Sequence, residues 1–355
     1  MKYLFLLLLV LAAACEVPAK SPQGAGGAPR TSGTQTLTVM THDSFEVSAV
    51  LIKTFEDANH AKVVLLKSGD AGAALNKVIL TRDAPLADVL YGVDNTFLSR
   101  ALQADIFEPY QSAALAGIPE KFKLDGSQRA LPVDYGDVCI NYDKAYFSEH
   151  NLNVPQSLED LAKPEYNGLL VVENPATSSP GLAFLLATRV HFGDGWLKYW
   201  SALKDNGLVV VDGWETAYYT NFSGSSGKGP QPMVVSYATS PAAEVIYADP
   251  PTDKAPTGSI LGADTCFRQI EFVGILKGTQ QRRLAEKFVD FMLSKPFQED
   301  MPLQMFVFPL NPQAELPEAF VKYADVVESP AQISPDEIAL GRDQWINEWT
   351  EAVLR

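Results

Sequence analysis

Histidine is scarce in this 355-residue chain: His42, His60, His150 and His191 are all it has, and no two stand at a metal-ligand spacing. There is no CxxC pair and no HExxH, GxSxG or GxxxxGK[ST] segment, so the common zinc, serine-hydrolase and nucleotide-binding signatures are missing. Acidic pairs such as Asp134 and Asp137 more often solvate or cap than act as acid–base catalysts. No catalytic residue, metal site or cofactor is therefore assigned, and nothing positive marks an enzyme. Basic residues are in deficit, 28 Lys and Arg against 43 Asp and Glu. The resulting net charge of −15 argues against a nucleic-acid partner and is compatible with a cationic ligand. Long apolar runs are absent after the N-terminus, so no later segment is expected to cross a bilayer.

The N-terminus carries the one apolar run, Tyr3–Ala14 behind Met1-Lys2, which has the length of a signal-peptide core (residues 1–14) rather than a permanent span. Ala12-Ala13-Ala14-Cys15 resembles a bacterial lipobox, with Ala12 where Leu is commoner. In that reading Cys15 becomes the lipidated first residue, and the Pro/Gly/Ser-rich stretch 15–36 is a flexible tether. The expected location is extracytoplasmic, in the periplasm or on the outer cell surface, held to the membrane by lipid. Two further cysteines remain, Cys139 and Cys266. An even remainder in an exported chain points to a disulfide; two buried free thiols are the alternative.

From Leu37 the pattern alternates. Strands are expected at Thr36–Met40, Lys62–Leu66 and Ala87–Gly92, with helices at Ser44–Asn59, Ala73–Arg82 and Asn95–Gln103. Leu131–Asp143 and Cys266–Leu276 read as β-like, and between them runs a second α/β alternation. The fold class is α/β with two lobes, each a mixed sheet flanked by helices, and a ligand cleft between them. The expected division is residues 37–132 plus about 266–310 in lobe 1, 133–265 in lobe 2, and a helical segment at 311–355. Asp249–Gly262 is expected to be loop, and Ser334–Leu354 a terminal helix capped by Ser334-Pro335-Asp336-Glu337. A Cys139–Cys266 bond would then tie the two crossing strands together.

Two stretches share one grammar: Val171–Leu186 (VVENPATSSPGLAFLL) and Met233–Tyr247 (MVVSYATSPAAEVIY) each pass from a β-run through hydroxyl residues into a helix opening at proline. Such a start presents backbone N–H groups and the positive end of the helix dipole.

These segments, with TLTVMTHDSF, SGDAGAALNK, ADVLYGVDN, PVDYGDVCINYDK, VVDGWETAY and RDQWINEWTEAV, resemble the solute-binding proteins of bacterial ABC importers, most closely the thiamine-binding members. The similarity runs from about Leu37 to Arg355, and TSSPG, DGWETAY and SYATSP are its most specific parts. The resemblance implies a two-lobed type II periplasmic-binding-protein fold. It implies a monomer that closes on thiamine or its phosphates and delivers it to membrane permease subunits. Family ligand contacts carry over to Asp70, Ala71, Ser178, Ser179, Trp214, Tyr237, Ala238, Thr239 and Ser240, with Asp43 and Phe306 as further candidates. Trp214 and Tyr237 offer π-faces to the rings, an acid faces the cation, and the two helix starts receive the hydroxyl or phosphate arm. Departures thin the expected aromatic cage: Glu46-Val47-Ser48-Ala49 holds no Trp, and Phe306 and Ala243 stand where larger aromatics are expected. Tyr218-Tyr219 with His42 also resembles the ferric-ion-binding transport proteins, which use adjacent tyrosines. A ferric ion, or another small cation or organophosphate, is the alternative ligand. Tyr218-Tyr219 falls in an expected helix, Glu215–Phe222, where neighbours do not face one ligand.

Overall fold

The computed structural model describes residues 34–224 and 228–355. The signal peptide, Cys15 and nearly all of the tether lie outside the described residues. The strands are β1 (Gln35–Thr41), β2 (Ala61–Lys67), β3 (Val89–Asp94), β4 (Phe107–Glu108), β5 (Leu131–Asp143), β6 (Leu170–Glu173), β7 (Val209–Val211), β8 (Met233–Tyr237), β9 (Thr257–Ile260), β10 (Phe267–Leu276) and β11 (Phe308–Pro309). They run in the order β2-β1-β3-β10-β5-β8-β6-β7, with β4 beside β10 and β9 and β11 beside β5. The outer groups, β2-β1-β3 and β7-β6-β8, are parallel. They are joined through β10 and β5, which are antiparallel to each other and to their outer neighbours.

The helices are α1 (Ala49–Asn59), α2 (Ala71–Leu80), α3 (Leu98–Gln103), α4 (Lys144–Glu149), α5 (Ser179–Phe192), α6 (Trp196–Asp205), α7 (Ser240–Ile246), α8 (Arg282–Met292), α9 (Lys295–Gln304), α10 (Glu318–Tyr323) and α11 (Pro335–Leu354). Parallel strands need crossovers, and α1, α2 and α5–α6 supply them, so each half of the sheet is covered by helices. In α5 every residue from Ser179 to Thr188 is buried. Its start approaches β6 so closely that a Cβ on Gly181 would sit 2.5 Å from the Glu173 carbonyl oxygen. Glycine is therefore required in TSSPG by packing, whatever the turn binds. The long α11 opens with the expected capping box at Ser334 and Glu337. It lies across both halves: Trp349 meets Trp200 of α6 edge-on at 5.5 Å, and Arg342 donates to Ser99 of α3.

The strand β5 carries the connection. Residues Leu131–Val138 pair with β10, while Val138–Tyr142 pair with β8 on the far side. Where one partner gives way to the other, Cys139 and Cys266 are joined in a disulfide with Cα atoms 4.4 Å apart. Both are fully buried against Ala238 and Val327.

The structure departs from sequence expectation in a few places. The first helix begins at Ala49, not Ser44, because Phe45 is driven into the core and Ser48 gives both its N–H and its hydroxyl to Asp300. The Asp249–Gly262 loop contains β9, which pairs with Ile140–Asp143 of β5. A helix not foreseen, α9, runs from Lys295 with Pro302 inside it. Glu215–Phe222 is a π-helix over Thr216–Asn221 rather than an α-helix.

The disulfide closes a span of 127 residues. Replacing Cys139 and Cys266 together by Ser is expected to destabilise the fold by about 2–4 kcal/mol, because so long a loop leaves the unfolded chain much freer without the bond. Scanning calorimetry of the double variant measures this. Unchanged stability, or recovery of two free thiols on non-reducing peptide mapping of the parent, would contradict it.

Candidate functional site

A cleft of about 920 Å³ opens between the two halves of the sheet. Its walls carry Trp214, Tyr218, Tyr219, Tyr237, Tyr247 and Phe306, and the carboxylates of Glu46, Asp70, Asp143, Glu215, Glu244, Asp249 and Glu271. Among the described residues that line it there is no Lys and no Arg. His42 is, among the described residues, the one lining side chain able to carry positive charge.

Trp214 is fixed from several sides. It follows β7 through Asp212-Gly213, and its backbone N–H donates to Asp70 Oδ2 at 3.0 Å across the cleft. Its indole N–H donates to Ser236 Oγ at 2.9 Å, and that hydroxyl is shared with Ser240 at 3.0 Å. Tyr218 stacks beneath it at 4.9 Å and 17°, while Tyr219 meets it edge-on at 5.4 Å. The wide π-turn explains how adjacent tyrosines share a wall: residues four and five beyond Trp214 fall on its side. Tyr218 donates its hydroxyl to Glu244 at 2.6 Å.

Asp70 caps α2 by accepting from Ala71 N at 2.7 Å with one oxygen, and holds Trp214 with the other. Burial raises its pKa, and the two amides, His42 and Ser178 oppose that rise. At the cleft floor, His42 Nε2 lies 3.3 Å from Glu271 Oε1, and His42 Nδ1 lies 2.9 Å from Ser44 Oγ. Burial pulls the His42 pKa down, but the charge and hydrogen bond of Glu271, with Asp70 and Asp43, raise it above the ordinary value. Burial pushes Glu271 up, yet His42, Asp134 and Tyr91 bring it below the usual carboxylate range. Burial, and then the charge of Glu271 beside it, raise the Asp134 pKa well above its ordinary value. Tyr91 donates to Asp134 at 2.6 Å.

Seven of the residues singled out in the sequence line this cleft: Asp70, Ala71, Ser179, Trp214, Tyr237, Ser240 and Phe306. Four lie behind it. Ser178 is fully buried, its hydroxyl accepting from Gly181 N as the cap of α5 and interacting with Asp70. Ala238 packs on the disulfide, and Thr239 is buried with its carbonyl accepting from Ala242 N. Asp43 accepts from Gly69 N at 2.7 Å and so joins two turns of the same half. Of the two hydroxyl-rich helix starts, α5 has its Gly181 amide taken by the Ser178 cap, while α7 has no side-chain cap, and both present a serine to the cleft, Ser179 and Ser240. Tyr218, Tyr219 and Tyr247 add aromatic lining to that of Trp214, Tyr237 and Phe306.

Sequence reasoning missed Glu271, Gln269 and Glu244. The signal for the first two is two polar residues spaced two apart on the strand face that also carries Phe267, Val273 and Ile275. Among the described residues, no group of three or more His, Cys, Asp or Glu is placed to hold a metal ion.

Two α/β halves joined by crossing strands over an acidic, aromatic cleft are the architecture of a protein that captures a small solute. The chain belongs to the bacterial extracellular solute-binding proteins, whose family model matches residues 84–326. It is 31% identical over 324 residues to the thiamine-binding periplasmic protein of Escherichia coli, covering 90% of this chain and 94% of that one. A solved periplasmic thiamin binding protein superposes with a TM-score of 0.81 at 29% identity, over 94% of this chain and 99% of its own. The ferric binding protein of Campylobacter jejuni shares the fold, with a TM-score of 0.69 at 20% identity over 89% and 99% of the two chains. The fold is thus the two-lobed type II periplasmic-binding-protein fold.

His42 also rests on Gly92, whose φ is +99° and where a Cβ would sit 2.3 Å from His42 Cδ2. Gly92→Ala is expected to cost about 1–3 kcal/mol through the left-handed backbone and the clash together. It should also displace the imidazole from Glu271 and lower the pKa of His42. Denaturant unfolding and imidazole titration by NMR measure both effects, and an unaltered protein on either count would contradict this packing.

Proposed function

We propose that this protein captures thiamine in the cleft and delivers it to the permease of an ABC importer. The observation that carries the reading is the pairing of an anchored indole, Trp214 on Tyr218, with an acidic wall that has no Lys or Arg among its described residues. Thiamine is a flat aminopyrimidine linked to a permanently cationic thiazolium. An aromatic face attracts such a cation by roughly 0.5–2 kcal/mol when water is excluded. Carboxylates supply the opposite charge and accept from the exocyclic amine. The names of the relatives point to the same ligand.

In this reading Trp214, Tyr237 and Phe306 contact the rings, while Asp70, Ala71, Ser179 and Ser240 line the polar end. Residues 37–132 with about 266–310 form one lobe and 133–265 the other, and the crossing strands β5 and β10 are the axis about which they close. Capture and release involve no bond making, so the protein works as a carrier rather than an enzyme, as a monomer outside the cytoplasm. Lipidation of Cys15 would keep it at the membrane near its permease.

Titration calorimetry with thiamine, its phosphate esters and Fe(III) tests the reading. Saturable heat is expected with thiamine, and Trp214→Ala should weaken it about tenfold or more, as for a hot-spot aromatic. Heat with Fe(III) and none with any thiamine form would overturn the proposal. Undiminished affinity in the variant would remove Trp214 from the site.

A further inference from the structure

We infer that Glu271 is the carboxylate that receives the ligand's positive charge, and that His42 is the resident cation it gives up, so that capture exchanges a proton for the ligand. The inference rests on the proposal that the ligand is thiamine and adds a residue and a linkage to it.

Both side chains lie on the cleft wall, only 6% and 5% exposed, and their nearest atoms are 3.3 Å apart. Glu271 is prepared for charge. It stands at the crossing of β10 and β5, takes a hydrogen bond from Tyr91 at 3.1 Å, and pairs in the ladder with Asp134, whose pKa burial raises. Asp94, at the end of β3, and Tyr237, on β8, are the other titratable groups that feel it. His42 faces Glu271 from β10, Asp70 from the start of α2, Asp43 and Ser44 from its own turn, and the Tyr91 ring at 5.8 Å from β3. No lining Lys or Arg among the described residues competes for Glu271.

A thiazolium cannot shed its charge, whereas an imidazolium can. When the ligand's cation reaches Glu271, His42 meets a like charge and loses the ion pair that held its proton. That proton leaves to solvent, and neutral imidazole remains to accept or donate one hydrogen bond.

The sign follows from the raised value of His42. Below that value the free protein carries the proton and binding must expel it. Apparent affinity therefore rises with pH, by about tenfold per unit at most, and levels off above it. Asp94, pushed up to about 7 by burial, is a second group able to give up a proton near neutral pH, so substitution of His42 is needed to assign it.

The experiment is calorimetric titration of the full mature chain with thiamine at pH 5.5–8, in buffers of differing ionisation enthalpy. It is repeated for His42→Gln and Glu271→Gln, each checked for folding by its thermal transition. NMR titration of the His42 imidazole in the parent protein, free and saturated with thiamine, needs no substitution. The parent should release up to about one proton per ligand at the acid end, and His42→Gln should abolish most of that release. Glu271→Gln should weaken thiamine about 30-fold or more, and the His42 pKa should fall on saturation. Thiamine binding without proton release, release unchanged in His42→Gln, or full affinity in Glu271→Gln would each overturn the exchange while leaving thiamine as the ligand. Absence of thiamine binding at every pH would overturn the ligand itself, and the exchange with it.

Discussion

The pairing of β5 with β10 is the constraint on which the rest of the molecule depends. Each strand is shared between neighbours on both sides, so the two parallel groups are halves of one sheet rather than separate bodies. The disulfide joins Cys139 of β5 to Cys266, the residue just before β10, and the two strands carry the buried acids Asp134 and Glu271 further along. Structural continuity and the electrostatics of the cleft floor are therefore set by a few residues of one ladder. Asp134 and Glu271 are direct partners in its register, and two adjacent carboxyls in a dry place cannot both ionise. Burial and the neighbouring charge raise the pKa of Asp134, while His42 at hand lowers that of Glu271, so the charge is favoured on Glu271.

A second tie crosses the cleft. Asp70 caps its own helix and holds the Trp214 amide of the opposite half, so the indole is set by the first half of the chain although it belongs to the second. With the indole N–H bound to Ser236 and Tyr218 stacked below, little freedom is left to the ring. Such an anchored aromatic loses little entropy when a ligand settles on it, which favours tight capture from dilute solution.

Much of this was legible in the sequence, for reasons that differ by element. The strand β5 is legible to the residue, Leu131–Asp143, because Val138 and Ile140 alternate with Cys139 at strand period. The cap at Ser334 and the crossing cysteines were legible because hydroxyl caps and paired thiols carry local or countable signals. Asp70, Trp214 and Tyr237 were found in the wall through the resemblance of their segments. Ser178 does not line the cleft itself but stands behind Asp70, a distinction that sequence cannot draw between neighbouring serines of one cap. Tyr218 and Tyr219 were set aside on α-helical geometry, and a π-turn has no sequence signature that would have shown otherwise. Glu271 was hidden inside an apolar strand, where only its two-residue spacing from Gln269 hinted at a polar face.

The central claim is that the ligand's rings lie on Trp214. Of the five tryptophans, Trp196, Trp200, Trp345 and Trp349 are buried away from the cleft, and Trp214 alone lines it. A fluorescence titration with thiamine, run on the parent and on Trp214→Phe, tests the claim most directly. The account predicts a saturable change in tryptophan emission in the parent that disappears in the variant, while calorimetry still detects binding to the variant. An emission change that persists undiminished in Trp214→Phe would contradict it.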